Sequence, residues 1–100
     1  MECESNKNFD IFQLVRQFEE MMLTGNEIYL DEKSFQQLTD YYVNEHELAN
    51  AGKVTREAVK IYPYNLHFRI QQIELFIQLR QYDQAMTAVE DALLIAPFDF

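Results

Sequence analysis

One hundred residues, 48% hydrophobic and 25% charged with only two Gly and two Pro, are enough for one folded domain and exclude a disordered or fibrous chain. Eight Lys and Arg against seventeen Asp and Glu leave a formal charge of −9, which repels a phosphate backbone and excludes nucleic acid as a natural partner. The single cysteine, Cys3, allows no internal disulfide, and no run approaches the ~20 apolar residues of a membrane span, so the chain reads as cytoplasmic with no membrane partner.

The opening segment is short and polar, and a disordered leader is predicted over residues 1–8. A capping helix is predicted over 9–25. There Ile11, Phe12, Val15, Phe18 and Met22 recur at helical spacing, Leu14 and Met21 widen the stripe, and Gln13, Arg16, Gln17, Glu19 and Glu20 fill the other side. Gly25 can take the left-handed conformation that closes the last turn. Asn26 to Leu30 then reads as a connection.

Asp31 is a good N-cap, because its short carboxylate accepts from free amides at the positive end of the helix dipole. The helix it opens is predicted over Glu32 to Asn44, with Phe35, Leu38, Tyr42 and Val43 on its apolar side. A turn near Glu45 and His46 leads to a second helix, about Glu47 to Tyr62, carrying Leu48, Ala51, Val54, Ala58 and Ile61. Gly52 inside that pattern costs roughly 1 kcal/mol against alanine and hints at close helix approach. Pro63 ends the element by disfavouring helical Tyr62 and lacking an N–H.

The next segment repeats the grammar. Asn65 caps a helix carrying Leu66, Phe68, Ile70, Ile73, Phe76, Ile77 and Leu79, which is apolar over much of its circumference. Tyr82 to Ala96 follows as a final helix with Ala85, Met86, Val89, Ala92, Leu93 and Ile95. A shift of thirty-four residues pairs Gln37 with Gln71, Asp40 with Glu74, Tyr42 with Phe76, Leu48 with Tyr82, Ala51 with Ala85, Ala58 with Ala92, Ile61 with Ile95 and Pro63 with Pro97. Matched prolines, caps and alanines at one offset describe a helical hairpin written twice. The alanines let antiparallel helices approach near the lower end of the ~8–10 Å range.

On these residues the chain resembles the tetratricopeptide repeat family, whose pattern has a large residue, Leu-Gly, Tyr, Ala, an aromatic and Pro over such a period. The likeness covers repeats at 32–65 and 66–99. Phe35, Leu38, Tyr42, Leu48, Ala51, Ala58 and Pro63 stand at the pattern positions of the first, and Phe76, Tyr82, Ala85, Ala92 and Pro97 at those of the second. The departures are Thr39 and Ile73 for the small residue at the helix crossing, Arg69 for the large aromatic, and Thr55 and Val89 for the later aromatic.

The resemblance implies an all-α, right-handed α-α superhelix of about five helices, with a concave face lined by the first helix of each unit. Mapped residue by residue, that face presents Lys33, Gln36, Asp40, Val43 and Asn44, then His67, Ile70, Glu74, Ile77 and Gln78. Val43, Ile70 and Ile77 read equally as core. Relatives that grip a C-terminal carboxylate use Lys and Asn there, whereas this chain has Gln36, Asp40, Ile70 and Glu74, so a chaperone-tail ligand is not expected.

Chemistry is thin. Glu45-His46-Glu47 resembles the start of a zinc-protease helix, but the required second histidine position holds Asn50. There is no Gly-rich phosphate loop, no Cys pair and no Ser-His-Asp set in a supporting context. The expectation is a non-enzymatic module or scaffold without cofactor, binding a protein or peptide segment, a basic one by charge, on its concave face.

The alternative is a small regulator that forms a homodimer through its last helix. Phe98 and Asp99 repeat Tyr64 and Asn65, so the chain reads as stopping where a third repeat would begin. That leaves Met86, Leu93, Leu94 and Phe98 as candidates for self-association.

Overall fold

The computed structural model describes the backbone of residues 2–95 and the side chains of residues 11–95. The described residues form five helices and no strand: α1 (Glu2–Thr24), α2 (Glu32–Asn44), α3 (Leu48–Ile61), α4 (Leu66–Gln78) and α5 (Tyr82–Ile95). The all-helical expectation is met. Pro97, Phe98 and the start expected for a third repeat lie outside the described residues. No helix among those described is long and apolar enough to cross a membrane.

Helix boundaries follow from local chemistry. Asp31 is extended (φ −76°, ψ 170°) and its carboxylate accepts from the Ser34 amide at 2.7 Å. Hydrogen bonds from Ser34, side chain and then backbone, hold that carboxyl below its ordinary range. Asn65 does the same for α4, accepting from the Phe68 amide at 3.1 Å. Gly25 ends α1 at φ +80°, with its amide donating to Met21 O at 2.8 Å. At its other end α1 starts at Glu2 rather than near Phe9, so residues 2–8 of the expected disordered leader are helical in backbone.

The period reappears in the backbone itself. His46 (φ 61°) and Arg80 (φ 63°) stand one period apart, and both occupy the left-handed region. The hydrogen bonds around them match pair for pair. Glu45 N reaches Tyr41 O at 3.0 Å, His46 N reaches Val43 O at 3.0 Å, and Glu47 N reaches Tyr42 O at 2.8 Å. One period on, Leu79 N reaches Leu75 O at 2.9 Å, Arg80 N reaches Ile77 O at 3.0 Å, and Gln81 N reaches Phe76 O at 2.8 Å. Identical closures of α2 and α4 aim α3 and α5 back along their partners in the same way, and this makes the two hairpins alike.

The core runs between α1, α2, α3 and α4 through Phe18, Phe35, Leu38, Tyr42, Ala51, Val54, Ala58, Phe68 and Leu75. Phe35 meets Tyr62 edge-on at 6.1 Å and Phe68 at 6.3 Å between ring centroids. Such T-shaped pairs add to simple burial. Phe68 therefore supplies the aromatic bulk expected one residue later. Arg69, at the pattern position, instead donates Nε–H to Pro63 O at 2.7 Å and ties α4 to the bend before it. Thr39 and Thr55 are fully buried and return their hydroxyls to Phe35 O (3.0 Å) and Gly52 O (2.9 Å), which satisfies both groups inside the core.

On α1, Phe18 is buried against Tyr42 at 6.2 Å, while Leu14, Val15 and Met21 pack beside it. Phe12 and Met22, expected in the same stripe, are exposed. The packed arc is narrower than the apolar one and centres on Phe18.

Gly52 packs near α4 without being forced to do so. A Cβ built there meets Leu79 Cδ1 at 3.9 Å, an ordinary van der Waals contact, so the hinted close approach does not require glycine. Gly52→Ala is expected to raise stability by ~0.5–1 kcal/mol through helix propensity, read as a higher denaturant midpoint with unchanged slope. A loss of stability would mean that α3 and α4 sit closer than this.

Candidate functional site

Of the residues expected on a concave face, Lys33, Asp40, Val43, Asn44, His67, Ile70, Glu74, Ile77 and Gln78 are exposed and Gln36 is half-buried. Val43, Ile70 and Ile77 retain 38%, 44% and 49% of their accessible surface, so none of the three is core. Apolar side chains left in water on α2 and α4 are surface that something else can cover.

Part of this row converges. Asp40 and Val43 of α2 and Glu74 and Gln78 of α4 wall a cleft of about 120 Å³, floored by Thr39, Gln71 and Leu75. Gln36 Nε2 donates to Asp40 Oδ1 at 2.9 Å, which holds that carboxylate in place along α2. The Gln71 Oε1 is buried with no hydrogen-bond partner. A buried acceptor left unmade costs its desolvation, so the cleft presents an open demand for a donor, flanked by two carboxylates. It can hold one side-chain head group. Lys33, Asn44 and His67 do not line it.

Three of the four residues expected for self-association are at the surface. Met86, Leu93 and Leu94 are exposed at 63%, 60% and 78%; Phe98 lies outside the described residues.

A larger cleft of about 560 Å³ escaped sequence reasoning. It lies between α3, α4 and α5, with Val59, Phe76 and Ala88 among its lining, Arg56, Lys60 and Arg69 on the α3 and α4 side, and Asp83 and Asp91 on α5. The Arg56 and Lys60 spacing of four residues was the available signal. The one ion pair among the described residues joins Lys60 to Glu57 along α3 at 3.6 Å, and so no salt bridge spans this cleft. His46, from the zinc-like tripeptide, is exposed in the left-handed turn after α2.

Comparison with protein-family models, curated proteins and solved structures finds no match to this chain.

Proposed function

We propose that this protein is a non-enzymatic interaction module of the tetratricopeptide type, whose two like hairpins stack in a right-handed sense and take up a segment of another protein along α2 and α4. The observation that carries the reading is the small cleft between those helices. It combines the unpartnered Gln71 Oε1 with the Asp40 and Glu74 carboxylates, and Val43, Ile70 and Ile77 lie exposed on the same two helices. An ammonium or guanidinium supplies donors to all three acceptors, and apolar neighbours in the bound segment cover the aliphatic side chains. The chain's charge of −9 favours encounter with such a basic segment.

The test is recovery of bound protein by wild type and by Asp40→Lys combined with Glu74→Lys. Reversing both charges on exposed side chains leaves the core untouched and is expected to reduce recovery at least ~10-fold, with wild-type recovery itself falling as salt rises. Equal recovery by the variant removes this face as the binding site.

A further inference from the structure

Helix α5 is packed the wrong way round for a helix that ends its business at α4. Its small residues, Ala85, Ala88 and Ala92, are the buried ones, while Tyr82, Met86, Val89 and Leu93 stay 57%, 63%, 37% and 60% exposed. On a helix of 3.6 residues per turn these four fall within about 60° of one another, roughly a quarter turn from the alanine stripe. They make a continuous ridge about 16 Å long. Gln84, Thr87, Ala88 and Asp91 line the cleft shared with α3, so the ridge lies on the side of α5 turned away from α3.

The first hairpin shows what such a ridge is for. Stepping Met86, Val89 and Leu93 back by one period gives Gly52, Thr55 and Val59. These sit on the flank of α3 that α4 adjoins: Gly52 neighbours Leu79, Thr55 is fully buried, and Val59 lines the cleft with Phe76. Thr39 and Val43 of α2 likewise meet α4 across the small cleft, and their counterparts on α4 are Ile73 and Ile77. The second hairpin thus presents, in larger and more apolar form, the surface on which the first receives a helix.

Charge selects the occupant. Glu90 is exposed beside the ridge, Asp83 is exposed between the ridge and the cleft shared with α3, and α5 contains no Lys or Arg; the nearest cation in sequence, Arg80, lies in the turn before it. A second copy of this chain would bring the same carboxylates together with a further charge of −9. We infer that the Tyr82, Met86, Val89 and Leu93 ridge of α5 docks an amphipathic helix from a different protein, whose apolar stripe is bordered by Lys or Arg. This surface is distinct from the α2 and α4 cleft.

The probe is a synthetic peptide of roughly 18 residues, long enough to hold a helix, with leucines at the matching spacing and lysines along the stripe's border. A second peptide carries glutamates in place of the lysines. Titration calorimetry on the intact chain is expected to show saturable binding of the first peptide and at least ~10-fold weaker binding of the second at low salt. Met86→Gln with Leu93→Gln removes apolar surface without altering charge and is expected to weaken the first peptide ~10-fold or more, while the melting temperature holds because both side chains are exposed.

Asp83→Asn with Glu90→Gln is expected to flatten the salt dependence. Undiminished binding by the Met86 and Leu93 variant would reduce the effect to general charge attraction and overturn the proposal. So would equal binding of the glutamate peptide, or a wild-type dimer in light scattering that this variant converts to monomer.

Discussion

Phe35→Ala is expected to come close to unfolding the protein. The ring is fully buried, faces Tyr62 and Phe68 edge-on, and occupies the point where α2, the end of α3 and the start of α4 meet. Truncating a buried phenylalanine costs about 3–5 kcal/mol once the residual cavity is included, against a total of about 5–15 kcal/mol for a typical domain. Little can relax into the space. Tyr62 is held by its hydroxyl donating to Leu30 O at 2.7 Å, and Phe68 by the Asn65 cap and the neighbouring Arg69 bond to Pro63 O. Tyr62 also ties the connection before α2 to the end of α3, so its loosening spreads to the α1 side. For a chain of this size the loss corresponds to a fall of at least ~12 °C in Tm. A calorimetric loss below ~1 kcal/mol would show that the aromatic cluster is not what holds the first hairpin to the second.

The features visible in the sequence were those set by neighbours along the chain. Asp31 and Asn65 announced their helices because a short polar side chain before an apolar periodic run satisfies amides that nothing else can reach, and α2 begins and ends at the residues its pattern indicated. The alanine and proline pairs located both hairpins for the same reason. The turn near Glu45 and His46 was expected, but the left-handed backbone of His46 and Arg80 was not legible, since left-handed residues are read from glycine or asparagine and neither position has one. Their equivalence became visible only as matching hydrogen bonds.

Other misses concern which side of a helix is covered. Phe12 and Met22 belong to the apolar arc of α1 but fall beyond the reach of α2, and Phe68 rather than residue 69 fills the core because Asn65 sets α4's rotation. Of the expected concave row, Asp40 and Val43 of α2 and Glu74 and Gln78 of α4 meet at one cleft, a meeting of two helices that no pattern within either of them encodes. Hydropathy alone could not tell exposed Val43, Ile70 and Ile77 from core. The wide cleft between α3, α4 and α5 depends on how far the two hairpins separate, and no local pattern encodes that distance.

Alkaline pH is expected to unfold the protein through Tyr42. Its side chain is buried against Phe18 and its hydroxyl donates to Glu19 Oε2 at 3.2 Å. Burial first, and then the negative charge and hydrogen bond of Glu19, push the phenol well above its ordinary value of 10.0. In the unfolded chain the group ionises near that ordinary value, so above pH ~10 the folded state holds a proton that the unfolded state has released, and stability falls as pH rises. Below that pH the contribution is complete. Tyr62, raised in the same direction by burial, adds to the slope.

Urea midpoints measured between neutral pH and pH ~12 are expected to be level up to the tyrosine range and then to drop by up to one proton's worth of slope for Tyr42. Tyr42→Phe keeps the ring packing, lacks the ionisable hydroxyl, and is expected to show a shallower alkaline limb. Glu19→Gln removes the neighbouring negative charge while burial and an acceptor oxygen remain, and should fall between the two. If Tyr42→Phe and wild type lose stability in parallel above pH ~10, the link between α1 and α2 does not run through this hydroxyl, and the alkaline transition belongs to other groups.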